Sequence, residues 1–156
     1  MALNTDFTSG QILTAAQQNN FPRGLVSVTN NTTPSGIVAV ETVAVTSPSF
    51  TAVANRYYRI SYYEPVLQYV SGTVNQVALR IRLTNISGAT QQLTELRLLN
   101  TVTGGNNTGF TAIVKTLTAG STVFVATFAP NGGGSINCYR AADTVAQLVI
   151  EDLGST

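Results

Sequence analysis

Little in this sequence is equipped to make or break bonds. It has no histidine, one cysteine and seven carboxylates. Cys138 would need a neighbouring base, usually histidine, to act as a thiolate nucleophile. The same lack removes most of the ligands zinc would use. Cys138 therefore reads as a small apolar side chain buried in a strand. The carboxylates are Asp6, Glu41, Glu64, Glu95, Asp143, Glu151 and Asp152, and they are scattered along the chain. Glycoside hydrolysis needs two of them flanking one bond, and calcium needs a cluster of oxygens at loop spacing. The one adjacent pair, Glu151-Asp152, lacks that spacing. Pairing with arginine, or exposure to solvent, is the expectation for all seven. The glycine-rich stretches Thr103–Gly109 and Asn131–Ser135 lack the Gly-Lys-Ser/Thr ending of a phosphate loop. They read as turns, and long turns at one end of a domain can also form a binding surface. No catalytic residue, cofactor or metal is expected, and the chain is read as a non-enzyme.

The residue types that remain are those of contact surfaces. Tyr57, Tyr58, Tyr62, Tyr63 and Tyr69 fall within a short span. Alternation in Arg56–Glu64, RYYRISYYE, puts Tyr57, Arg59, Ser61 and Tyr63 on one face and Tyr58, Ile60 and Tyr62 on the other. A strand with aromatic rings on both faces is central in a covered sandwich or lies at a subunit interface. Tyrosine and arginine are enriched at interfaces. Stacking of sugars on the tyrosines is the sharper alternative.

The elements that must hold these residues are strands. Ile37–Val45, Arg56–Glu64, Val77–Leu83, Leu93–Leu99, Phe110–Lys115, Thr122–Phe128, Ile136–Arg140 and Val145–Glu151 are apolar or alternating runs separated by turns. The clearest is Val77–Leu83, where Val77, Leu79, Ile81 and Leu83 share one face and Arg80 and Arg82 the other. Pro65 is expected to disturb its strand. Eight or nine strands, with turns at sandwich-like intervals, predict an all-β, antiparallel β-sandwich of jelly-roll type. A parallel α/β fold would need alternating helices, and none is patterned here.

Residues 1–24 differ from the rest, so the predicted organisation is an N-terminal docking arm, 1–24, and a sandwich domain, 25–156. Thr14 caps one helical turn over Ala15–Asn20, which Phe21-Pro22 ends. Phe7, Ile12, Leu13 and Phe21 form an apolar set on a segment too short to bury it alone, with Arg23 beside them. Docking on another chain would solve that problem, and folding back on its own domain is the alternative.

Composition narrows the partners. Only 10% of residues are charged and the net charge is +1, against roughly 25% charged in ordinary domains. Seven of the eight basic residues are arginine, and they form no basic stripe, so nucleic acid is not an expected partner. No apolar run approaches the roughly 20 residues that span a bilayer, and the start lacks a secretory pattern. Synthesis in a cytoplasm and no membrane partner are expected. A neutral polar surface suits a protein covered by copies of itself or by partners.

Two groups of segments carry a family resemblance. Phe7–Gly24, FTSGQILTAAQQNNFPRG, is similar to the N-terminal stretch of many small structural proteins of tailed bacteriophages, with its Gly-x-x-Leu-Thr-Ala-Ala pattern, Asn and Pro-Arg-Gly. Phe50–Tyr58, Ala119–Phe124 and the closing Gln147–Gly154, QLVIEDLG, resemble the β-sandwich of phage tail and head-surface proteins. The resemblance implies a virion structural protein without catalysis, decorating a capsid or forming part of a tail fibre or tip. It implies a homo-oligomer, commonly a trimer, attached to other virion proteins through the N-terminal arm. The expected partner-binding residues are Phe7, Ile12, Leu13, Phe21, Arg23, Tyr57, Arg59 and Tyr63. The alternative is a module that recognises a host-surface glycan.

Overall fold

The computed structural model of the chain describes Gly10, Ile12 and residues 14–72, 76–97 and 106–156. After the helical turn α1 (Ala15–Asn19), the described residues form twelve strands. They are β1 (Gly24–Asn31), β2 (Ile37–Val38), β3 (Thr42–Thr46), β4 (Phe50–Ala52), β5 (Arg56–Gly72) and β6 (Gln76–Leu83). Then come β7 (Thr90–Arg97), β8 (Asn106–Thr116), β9 (Gly120–Thr122), β10 (Phe124–Asn131), β11 (Gly134–Cys138) and β12 (Ala146–Ser155).

Eight of these strands make two four-stranded layers. One runs β1-β12-β5-β8 and the other β3-β10-β6-β7, with every neighbouring pair antiparallel. Numbered one to eight along the chain, the layers read 1-8-3-6 and 2-7-4-5. That is the two-Greek-key order of a jelly roll, so the predicted all-β antiparallel sandwich is what the chain forms. The four extra strands are short. β11 and β2 extend the first layer, and β4 and β9 pair with each other.

The core lies between the layers. Tyr58, Ile60, Tyr62 and Leu67 of β5, with Leu148 and Ile150 of β12, meet Val77, Leu79 and Ile81 of β6 and Phe124, Ala126 and Phe128 of β10. All are buried, and each large apolar side chain contributes about 1.5–3 kcal/mol by leaving water. The alternation predicted for β5 and β6 is observed. Tyr58, Ile60 and Tyr62 point inward while Tyr57, Arg59 and Tyr63 do not, and Arg80 and Arg82 lie opposite the buried face of β6.

Several predicted boundaries shift for physical reasons. The strand predicted over Ile37–Val45 is two, β2 and β3, separated by a bend at Ala39-Val40. The strand predicted over Arg56–Glu64 runs on to Gly72, and Pro65 disturbs it, as expected, without ending it. Pro65 sits at a bulge against β8, between Glu64 and Leu67, where β5 exchanges β12 for β11 along one edge. A residue without an N–H is tolerated at such a point because the ladder is already interrupted. The second half of the predicted loop Thr103–Gly109 belongs to β8. Gly109 faces the core there, and a Cβ would lie 2.6 Å from Leu79 Cδ1 and 2.9 Å from Leu96 Cδ1. Its missing side chain serves packing as much as turning.

The helical turn forms as predicted, one residue shorter. Thr14 Oγ1 accepts the Gln17 N–H at 3.2 Å, and Gln17 Oε1 accepts the Thr14 N–H at 3.0 Å. This reciprocal arrangement satisfies donors that a helix start leaves orphaned.

Candidate contact face and its supports

The outer side of the β1-β12-β5-β8 layer is the candidate functional surface. Residues directly paired across antiparallel strands project to the same side, so the register defines its rows. Arg59 of β5 lies between Val114 of β8 and Glu151 of β12, and Glu151 is opposite Leu25 of β1. Ser61 lies between Ala112 and Val149, and Val149 is opposite Val28. Tyr63 lies between Phe110 and Gln147, and Gln147 is opposite Asn30. Tyr57 pairs with Thr116 and Gly154. Leu25 is 63%, Phe110 56% and Val114 53% exposed, and Val28, Tyr57 and Tyr63 are also exposed. The Arg59–Glu151 pair, 2.6 Å apart, supplies the charge.

The outer side of the opposite layer has a different centre. Glu41 accepts Arg82 through both oxygens at 2.7 Å, lies 3.3 Å from the Arg80 guanidinium and accepts the Thr127 hydroxyl at 2.5 Å. One sheet thus exposes apolar and aromatic side chains around one ion pair, and the other a charged knot beside the exposed Val43 and Leu93.

Two buried ion pairs brace the layer behind the candidate face. Glu64 receives Arg140 as a bidentate pair at 2.8 and 2.7 Å and the Tyr62 hydroxyl at 2.6 Å. Arg140 also donates to the Thr33 carbonyl and stands 5.5 Å above the Phe128 ring. At the far end, Arg56 grips Asp152 at 2.7 and 2.8 Å. The same guanidinium donates to the carbonyls of Asn19 and Phe21, and Ser155 N–H donates to Asn20 O at 3.1 Å. The end of the N-terminal segment is therefore fastened to its own sandwich.

Of the eight predicted partner-binding residues, Tyr57, Arg59 and Tyr63 come together on the face. Phe21 is partly exposed at the Arg56 clamp. Ile12 is 87% exposed. Arg23 is exposed, and its charge reaches Asp152. Phe7 and Leu13 lie outside the described residues. Leu25, Val28, Phe110, Val114 and Val149 were not singled out from the sequence. Alternation places Phe110, Ala112 and Val114 on one side of a strand, but only the strand order sets them beside Tyr63 and Arg59.

Arginine occupies most of the described carboxylates. Burial works to raise the Asp152 carboxyl, but the hydrogen bonds from Arg56 and the Gly154 N–H, with the charges of Arg56 and Arg23, outweigh it and hold it below the usual range. Glu41 is likewise lowered, with the Arg82 and Thr127 hydrogen bonds and the nearby guanidinium charges overcoming burial. A carboxyl held ionised in this way is poorly suited to act as a general acid. Folded-state values below the unfolded ones mean stability that is present above the unfolded value and lost as pH falls through the folded one. The urea midpoint is expected to drop as pH is lowered below about 4, and Asp152→Asn should flatten that acid limb; denaturation curves across pH check both.

Burial, with the Glu64 carboxylate nearby, pushes the Cys138 thiol well above its ordinary range. A buried, protonated thiol is inert. Native protein at pH 7 is expected to resist a thiol reagent such as Ellman's reagent, with full reaction only after unfolding in urea. Among the described residues, no three His, Cys, Asp or Glu side chains group as metal ligands. An open depression of about 350 Å³ beside β9 is lined by Leu83, Thr84, Gln91, Lys115, Leu117 and Thr122, among others, with no carboxylate in its wall.

No family model and no curated protein matches this chain. Among solved structures it is similar to an arabinose-bound α-L-arabinofuranosidase, at 14% identity and TM-score 0.39, over 89% of this chain and 24% of that one. It is also similar to the enzymatically active domain of tailspike protein 4 of bacteriophage CBA120, at 16% identity and TM-score 0.33, over 83% of this chain and 19% of that one. The chain spans less than a quarter of either protein. Likenesses this weak say nothing about its function.

Proposed function

We propose that this chain is a non-enzymatic structural module of a tailed-phage particle, acting through surface contact. The observation that supports it best is the apolar, aromatic outer face of the β1-β12-β5-β8 layer, a surface suited to packing against protein. Its arginine-bound carboxylates and buried thiol fit the same reading. The resemblance of Phe7–Gly24 and of the strand segments to phage structural proteins supports a position on a capsid surface or in a tail fibre or tip. The N-terminal segment, with Ile12 exposed, is the attachment element.

Quantitative mass spectrometry of gradient-purified particles tests the location. Hundreds of copies per particle indicate capsid decoration or a tail tube, and a few to tens indicate a fibre or tip; absence overturns the proposal. Deleting residues 1–13 tests the attachment and leaves the Asn19 and Phe21 carbonyls on Arg56. The shortened protein should keep its β-rich circular dichroism spectrum and lose incorporation. Normal incorporation would remove the arm from the account.

The exposed rings of Tyr57, Tyr63 and Phe110 favour a second reading, recognition of a host-surface glycan by stacking. It requires saturable binding of the purified chain on a glycan array that Tyr63→Ala weakens. A blank array eliminates it.

A further inference from the structure

We infer that the outer face of the β1-β12-β5-β8 layer is where one copy of this chain meets another. The inference rests on reading that face as a contact surface and names its occupant. Size is the first argument. Strands about 4.8 Å apart, rising about 3.3 Å per residue over about eight residues, make a patch on the order of 500 Å². Two such patches together reach the roughly 1,000 Å² that a specific interface needs.

Charge is the second argument and chooses the occupant. The central rows of the face carry one positive and one negative side chain, Arg59 and Glu151, side by side on adjacent strands. A partner of uniform charge would set a like charge against one of them. A second copy presents one of each, so a symmetric rotation brings Glu151 of one copy toward Arg59 of the other. A surface that complements itself is what a two-fold dimer requires, because the same patch serves both copies. Leu25, Val28, Phe110 and Val114 surround the pair and supply apolar area to cover.

Sedimentation velocity of the purified full-length chain, from micromolar to several hundred micromolar, tests this. Concentration-dependent self-association to a two-fold dimer is expected. Val114→Glu and Leu25→Glu, both at exposed positions, should each weaken it tenfold or more with the thermal melt unchanged. Leu93→Glu on the other sheet should leave it intact. Arg59→Glu should also weaken association, and adding Glu151→Arg should restore it. A wild-type chain that stays monomeric throughout overturns the inference, as does association that neither face substitution weakens. A wild-type monomer that associates once residues 1–13 are removed overturns it too, by making that segment the occupant. The purified chain decides the occupant and the particle inventory decides location, so either idea can fail while the other stands.

Discussion

Arg140→Met is expected to destabilise the folded chain by about 3–5 kcal/mol, the cost typical of leaving one buried charge without its partner. Glu64 and the Arg140 side chain are both almost fully buried, at 0% and 2% exposed. The pair cannot be replaced by water without opening the core. Removing Arg140 takes away both hydrogen bonds on Glu64 apart from the one from Tyr62. It also frees the Thr33 carbonyl and empties the space over Phe128. For a chain of this size the loss corresponds to a fall in melting temperature of roughly 6–20 °C. The double variant Arg140→Met/Glu64→Leu should recover much of it, because the larger part of the penalty is the unpaired charge rather than the lost attraction. Equilibrium urea unfolding of wild type, single and double variants measures this. A double variant as unstable as the single one would show that Arg140 acts by packing alone.

Arg56→Met is expected to have a comparable global cost and a local consequence that Arg140→Met lacks. Asp152 would stay buried with the Gly154 N–H as its remaining hydrogen bond and the Arg23 charge nearby. The carbonyls of Asn19 and Phe21 would lose their shared donor, and the segment leading into β1 would keep mainly the Ser155 N–H to Asn20 contact. Local opening requires only the free energy of the contacts that break. Brief proteolysis under native conditions should therefore cut Arg56→Met between residues 14 and 24 at least tenfold faster than wild type. Arg140→Met, though as destabilised globally, should be cut there at close to the wild-type rate. Equal cutting in both variants would mean that Arg56 does not hold the segment.

These two arginines mark the limit of what could be read from the sequence. The scarcity of carboxylates and the excess of arginine predicted pairing, and Glu64, Glu41, Glu151 and Asp152 are indeed paired. Which arginine meets which carboxylate was not legible. Arg140 is 76 residues from Glu64, and Arg56 is 96 from Asp152. Such contacts come from strand order, and alternating runs carry no record of their neighbours.

The contact face divides in the same way. Alternation along RYYRISYYE determined by itself that Tyr57, Arg59 and Tyr63 share one side, because side chains in a strand must alternate. The capped helical turn, the inward face of Val77–Leu83 and the all-β class were likewise local consequences of propensity and period. The identity of the exposed side was not, because both faces of β5 are aromatic. Only the sandwich decided it, by turning Tyr58, Ile60 and Tyr62 onto Leu79, Ile81 and Phe128 and leaving Tyr57 and Tyr63 outside. The grouping of Leu25 and Val28 with Phe110 and Val114 also belongs to the tertiary structure. Those residues lie on strands about eighty positions apart, and the pairing of β1 with β12, β12 with β5 and β5 with β8 brings them onto one surface.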